Sequence, residues 1–374
     1  MKKRILIIIT ACIILLTALF FILKNNAKDF RTNQSNKTQQ EKTAVDRDIP
    51  LTTVIAKNLD VPWAIAFLND GSMLVTERAG NVKLINPANG KQTVIAKIDD
   101  AKEIGEGGLL GIVLHPNFKT NHFVYVYYTY DVRGNRAQNR VIRYTFDGQS
   151  FNNKTVIVDD IPSAPNHNGG RIKFGPDGLL YITTGDAQNP SFAQDAKVLA
   201  GKILRLTDEG KPAPDNPFNN AVYSYGHRNP QGLTWDNNGN LWETEHGQNA
   251  TDELNLIEIG KNYGWPTIRG TQAKNGMITP VIQSGSDTWA PSGAAYLNGS
   301  IYFSGLRGNA LYQAVLNSTS VKELKTHFKK EFGRIREVIV GPDNMLYITT
   351  SNRDGRGIPG FDDDRIIRVN PQKL

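Results

Sequence analysis

Four polar segments carry side chains that could move a proton or hold an anion. Between Ser163 and Arg171 the chain reads SAPNHNGGR, so His167 stands between Asn166 and Asn168 in a loop that Gly169 and Gly170 allow to turn tightly. An imidazole titrating near neutral pH suits a general base, although a histidine capping a turn is the plainer reading. In YGHRNPQGL, Arg228 and Asn229 precede another apolar run. Arginine supplies a rigid fork of donors and asparagine adaptable hydrogen bonds, which is what an anion- or carbonyl-binding loop needs; a surface ion pair is the alternative. The stretch ETEHGQNATDELNLIEIGKNYGWP, Glu243 to Pro266, brings Asp252, Glu253 and Asn255 before Tyr263. Carboxylate and carbonyl oxygens of this kind suit a hard cation such as Ca²⁺, but the spacing is not that of an EF-hand. Finally, Arg307 lies in GLRGNALY, and Arg334 and Arg336 in FGRIREV. Two residues apart in a strand, the last two point to one face. That is commonly a solvated face, yet with Arg228 and Arg307 it offers four cations to a ligand bearing several carboxylates.

Something must bring these segments together, and the hairpins do. FLNDGSMLVTE, LHPNFKTNHFVYVYY, FGPDGLLYITTGD, WDNNGNLWETEHG, YLNGSIYFSG and VGPDNMLYITTSN each set two apolar runs about an Asx- or Pro-Asx turn. The turns fall near Asp70, Asn117, Asp177, Asn238, Asn298 and Asp343, at spacings of 47, 60, 61, 60 and 45 residues. This period predicts an all-β, six-bladed β-propeller, one hairpin per blade. Thirty-four glycines, 18 prolines and no sustained helical period agree with it. A propeller gathers loops from every blade at one axial mouth, so residues far apart in sequence can share a site.

The net charge of +7 is misleading, because residues 1–48 hold nine basic and four acidic residues and leave the propeller only +2. That argues against nucleic-acid binding. The single cysteine, Cys12, lies in the N-terminal apolar run, so the folded domain has no disulfide, thiolate metal site or thiol nucleophile. Lys2, Lys3 and Arg4 precede an apolar stretch of nineteen residues, Ile5 to Leu23. At about 1.5 Å per residue these span roughly 28 Å, a bilayer's hydrocarbon thickness. We expect residues 1–23 to be a signal-anchor or transmembrane helix with the basic end in the cytoplasm and the propeller outside the cell membrane. Cleavage after the run, giving a secreted protein, or lipidation at Cys12 are the alternatives. Residues 24–49 are polar and read as a flexible tether, with the propeller over 50–374.

Taken together, GEGGLLGIVLHPNF, NHNGGRIKFGPDGLLYITTGD, GHRNPQGL and DELNLIEIGKNYGWP resemble, in order, the soluble aldose (glucose/sorbosone) dehydrogenases that use pyrroloquinoline quinone, PQQ. The resemblance implies PQQ- and Ca²⁺-dependent oxidation of an aldose or related alcohol at C1 to the lactone, with hydride passing to the quinone. It implies that His167 is the base and that Arg228 stabilises charge at the quinone oxygen. Asn229, His246, Thr288 and Ala290 would contact the cofactor, while Trp289 reads equally as pocket or core. Arg307, Arg334 and Arg336 would meet its carboxylates. Gly247 and Gln248 would hold the activating Ca²⁺ through backbone carbonyls, and Glu253 and Tyr263 a second, structural one. Glu106 and Asn166 fall at positions facing the sugar, where the glucose oxidisers of the family have Gln and Asp; Arg307 replaces a lysine, and His246 and Gln248 also depart from that pattern. Glucose itself is therefore not implied. The electron acceptor is unspecified, and homodimers occur among relatives. A non-catalytic propeller binding a polysaccharide or protein, and a metal-dependent lactonase, are the competing readings.

Overall fold

The computed structural model describes residues 49–132 and 136–374. It divides into a unit Met1–Leu51 and a unit Thr52–Leu374. The expected anchor, Ile5 to Leu23, and the tether up to residue 48 lie outside the described residues. Among the described residues no helix is long and apolar enough to cross a membrane.

Thr52–Leu374 forms six antiparallel sheets of four strands. Blade one comprises Pro62–Phe67, Met73–Glu77, Asn81–Ile85 and Gln92–Lys97; blade two runs from Leu109–Leu114 to Phe151–Pro162; blade three from Ile172–Phe174 to Val222–Tyr225. Blade four runs from Pro230–Trp235 to Ile282–Gln283, and blade five from Pro291–Leu297 to Ser320–His327. Blade six takes Ile335–Val340, Leu346–Thr350 and Ile366–Val369 from the C-terminus, and its outer strand, Thr52–Ala56, from the start of the domain. Thr52 pairs with Val369 there, so backbone hydrogen bonds close the ring without any disulfide. The second strand of a blade lies between neighbouring blades. Met73–Glu77, Leu180–Thr184 and Leu346–Thr350 are accordingly buried at every position, and their short apolar runs show no polar alternation.

The six predicted turns all join the first strand of a blade to the second. Two of them explain the recurring GPD…LY. Asp177 accepts a hydrogen bond from the Leu179 N–H at 3.1 Å and from the Tyr181 hydroxyl at 2.9 Å. Asp343 repeats this with Met345 and Tyr347 at 3.2 and 3.1 Å. The preceding glycine makes room for the ring: a Cβ on Gly175 or Gly341 would stand 2.6 or 2.4 Å from the tyrosine. In blade four, Trp242 Nε1 donates to Asp236 at 3.1 Å and fills the same role.

Because strands alternate in direction, these turns share one end of the disc. The loops entering each first strand and those joining second to third strands open at the other. Midway, Arg171 of blade three pairs with Glu337 of blade six, both buried. Those blades are opposite in a six-membered ring, so the pair spans the axial channel. Arg171 is held by Gln231 O at 2.9 Å and lies 4.3 Å over the Trp63 ring. The pair lines the deep end of an apolar cavity of about 590 Å³ walled by turn-end residues of the first strands.

Candidate active site

Every residue expected to do chemistry lies at the loop end or on the blade-four segment that returns to it. His167 occupies the loop entering blade three with a left-handed φ of 62°, a strained conformation for a non-glycine residue. Its N–H donates to Glu106 Oε2 at 3.2 Å and its carbonyl accepts from Ala187 N at 3.2 Å. Its Nδ1 lies 2.7 Å from Asp186 Oδ1. Asp186 is fully buried and also accepts from Trp265 Nε1 and Gln188 N, both at 2.8 Å. With those donors fixing the carboxylate as an acceptor, Nδ1 must carry the ring proton. Nε2 is left as the basic nitrogen on a side chain 17% exposed.

Arg228 sits beyond the Trp265 ring, its guanidinium carbon 5.3 Å from the centroid. Its N–H donates to Glu245, and Nη1 reaches His246 O at 3.3 Å. Nε is buried without a partner. Burial lowers the pKa of Arg228, while Asp186, Glu245, Glu106 and Asp252 work the other way. His246 is similar: burial pushes its pKa down to about 4, and its neutral Nε2 is buried and unpartnered. Such orphans cost about 1–3 kcal/mol each and fit a site that awaits a ligand oxygen or N–H.

Glu106 links these groups. Oε2 faces the His167 N–H and Asn229 Nδ2, the latter at 3.5 Å, and Oε1 accepts from Arg356 Nη1 at 2.5 Å. Burial would raise its pKa, but His246 and the Arg356 ion pair outweigh that and hold it at about 2. Since His246 is neutral at pH 7, Arg356 is the cation that counts there.

The profile of the Glucose / Sorbosone dehydrogenase family matches residues 59–362. The chain belongs to this family. It is 32% identical to the aldose sugar dehydrogenase YliI of Escherichia coli over 353 residues, covering 85% of this chain and 92% of that protein. It is 34% identical over 256 residues to quinoprotein glucose dehydrogenase B of Acinetobacter calcoaceticus, covering 60% of this chain and 54% of that one. The PQQ-bound aldose sugar dehydrogenase of Streptomyces coelicolor superposes with a TM-score of 0.81 at 40% identity, over 86% of this chain and 98% of that one.

Within this glucose/sorbosone dehydrogenase fold the remaining predicted residues divide into two groups. Arg334 and Arg336 do share a face, but they share it with the buried Asp354. Arg334 contacts that carboxylate at 3.0 and 2.8 Å and Arg336 at 3.4 Å. Burial lowers the pKa of Arg336 to about 10. Exposed Arg307 lines a cavity of about 550 Å³ with Arg334 and Arg356. Arg228 instead lines a small cavity with His246, Gly247, Gln248, Glu253 and Tyr263. Arg228 and the pair Arg307 and Arg334 thus line separate cavities, and Arg336 is tied to Arg334 through Asp354.

Asp252 faces inward and orders its neighbours. It accepts from Gly247 N at 2.8 Å, Thr288 Oγ1 at 3.0 Å, Trp289 N at 2.6 Å and Ala290 N at 2.8 Å. Trp289 packs in the core on Phe303 and Tyr312. The Tyr263 hydroxyl donates to Leu256 O at 2.6 Å and accepts from Glu258 N at 2.8 Å, so its side chain is spent and only its carbonyl remains for a cation. Asn255 Nδ2 donates to Glu243 at 3.1 Å and to Glu253 at 3.2 Å, and one oxygen each of Glu243 and Asn255 is buried and unpartnered. His227, Glu243 and Glu245 present ligand atoms within 4.8 Å of one another. Burial and mutual repulsion raise the Glu243 pKa and bring that of Glu253 to about 8. These oxygen donors fit a hard cation.

The sequence reading missed Asp186, Asp354 and Arg356. Asp186 ends the ITTGD of the third hairpin, where a carboxylate just past a buried strand was the available signal. Asp354 and Arg356 lie in SNRDGRG, whose polar residues read as an ordinary loop.

Proposed function

We propose that this protein is a PQQ- and Ca²⁺-dependent aldose dehydrogenase that oxidises a cyclic sugar at C1 to its lactone. One observation carries the reading: an imidazole whose Nδ1 is locked by a buried carboxylate stands at the same mouth as an arginine with an unpartnered buried donor. His167 Nε2 takes the proton of the C1 hydroxyl. Asp186 keeps the ring in the required tautomer and stabilises the imidazolium that forms. Arg228 supplies a preorganised donor to an oxygen on which negative charge develops. Glu106 holds the His167 main chain and presents an acceptor to sugar hydroxyls beside Asn166. When bound, PQQ supplies the hydride acceptor and Ca²⁺ polarises its carbonyl. Arg228, Asn229, His246 and Arg307 would hold the former, assisted by Arg334 and Arg336. The backbone of Gly247 and Gln248 would hold one Ca²⁺, and Glu253 with the Tyr263 carbonyl the second.

The test is reconstitution. The purified propeller, given PQQ and Ca²⁺, should reduce an artificial dye in the presence of some aldose. His167→Ala should lower kcat by about 10²–10⁴-fold with melting temperature and PQQ affinity retained. Dye reduction that survives this substitution, or that never appears across a broad sugar panel, overturns the reading. We also propose that Ile5 to Leu23 anchors the propeller outside the cytoplasm, where it passes electrons to a separate acceptor. Protease accessibility on intact cells tests the placement.

A further inference from the structure

The loop between Leu346–Thr350 and Ile366–Val369 belongs to blade six, yet one of its side chains crosses the mouth. Arg356 Nη1 donates to Glu106 at 2.5 Å and Nη2 donates to Asn166 Oδ1 at 2.7 Å. Glu106 and Asn166 adjoin His167 from the loops entering blades two and three, so Arg356 bridges the two loops beside the base. The base of the loop is fixed. Asp354, two residues earlier, accepts a hydrogen bond from the Arg356 main-chain N–H on Oδ1 at 3.0 Å and holds Arg334 and Arg336 with the other oxygen. The Arg356 side chain remains 51% exposed, against 18% for Glu106, so its outer N–H groups face whatever enters.

We propose that Arg356 determines charge specificity at the sugar subsite: paired with Glu106, it makes the subsite neutral and selects uncharged aldoses over amino sugars and uronic acids. This rests on the function proposed above and names the substrate class of that same site. A hydroxyl both donates and accepts. The Arg356–Glu106–Asn166 set offers guanidinium donors, carboxylate acceptors and an amide side by side, which matches adjacent hydroxyls on a pyranose. A sugar ammonium would meet Arg356, and a sugar carboxylate would meet Glu106. Either must separate the ion pair or face a like charge. A carboxylate in place of a neutral amide at position 106 is thus matched by an arginine 250 residues away.

The experiment compares kcat/KM for glucose, glucosamine and glucuronate in the reconstituted wild type, Arg356→Met, Glu106→Gln and the double variant. Wild type should prefer glucose to both charged sugars. Arg356→Met bares Glu106 and should raise the glucosamine-to-glucose ratio on the order of ten-fold, mainly through KM. Glu106→Gln bares Arg356 and should raise the glucuronate-to-glucose ratio by a similar factor. The double variant should return towards neutral preference, and Arg356→Lys, which keeps the charge but not the fork, should still exclude glucosamine. Melting curves and PQQ titration show that each variant is folded and loaded. Ratios that stay within about two-fold of wild type in both single variants overturn the proposal while leaving the dehydrogenase reading intact. A wild type that reduces no dye with any sugar sinks that reading instead. Calorimetric binding of the same three sugars then decides the Arg356 proposal by the same ratios.

Discussion

The two ends of this propeller use the same strands for opposite purposes. At the turn end, polar groups answer one another: Asp177 and Asp343 each satisfy a backbone N–H and a tyrosine hydroxyl within their own hairpin. At the loop end the accounting is left open. Arg228 Nε and His246 Nε2 are buried without partners, and His167 sits at positive φ. Buried unpartnered atoms occur at the turn end too, Arg368 Nε beside Asp343 among them, so what sets the loop end apart is that its open groups, Arg228 Nε and His246 Nε2, lie in the candidate site. The repeat that closes the ring needs no residue of the site, and the site needs only loops whose ends the repeat fixes.

The largest effect should come from the boundary between the ends. Arg171 and Glu337 are both buried, so Glu337→Gln leaves an uncompensated guanidinium across the axis. We expect a loss of about 3–5 kcal/mol in chemical denaturation. Replacing both by Met should recover much of this, because apolar packing substitutes well for a buried pair. If Glu337→Gln unfolds no more easily than wild type, the channel is not held at its centre and the division into two ends fails.

A smaller effect concerns acid. Glu106 has its folded pKa depressed to about 2, below the ordinary carboxylate value of 4.5. Its stabilising contribution is therefore complete above pH 4.5 and disappears as pH falls towards 2. Sugar KM should not vary between pH 4 and 7 on account of this group. Arg356→Met removes one of the groups that lower the Glu106 pKa and leaves His246, so KM should begin to climb at a higher pH in the variant than in wild type. A KM-versus-pH profile checks this, and identical acid limbs in both proteins would detach Arg356 from Glu106.

The same division explains what the sequence disclosed. Six hairpins announced themselves because turn chemistry is local: Asp177, Gly175 and Tyr181 lie within seven residues. Blade number and closure followed from their period. His167 and Arg228 stood out as reactive types in loops, and the family resemblance gave them roles. What could not be read were partners that the fold brings together from separate loops. Asp186 meets His167 from another loop, Asp354 neutralises two arginines, and Arg356 reaches Glu106 from blade six. No local pattern encodes such pairings, since the topology makes them. For the same reason the sequence did not show that Arg228 lines one cavity and Arg307 and Arg334 another, with Arg336 tied to Arg334 through Asp354.

The smallest effect is the sharpest control on the comparison. Tyr181→Phe and Tyr347→Phe each remove one hydroxyl from a partly buried hydrogen bond of 2.9 or 3.1 Å without altering ring packing. Each should cost about 0.5–1.5 kcal/mol. Blades three and six lie across the ring and the two hydroxyls share no partner, so the costs should add to within about 0.5 kcal/mol. Neither substitution should change KM, kcat or PQQ affinity. The argument depends on that silence: these tyrosines belong to the repeat, and a repeat that only positions loops can be weakened without touching chemistry. A Tyr181→Phe variant with altered KM would mean that the turn end transmits strain through Ile172–Phe174 into the loop carrying His167, and the ends would then be one coupled unit.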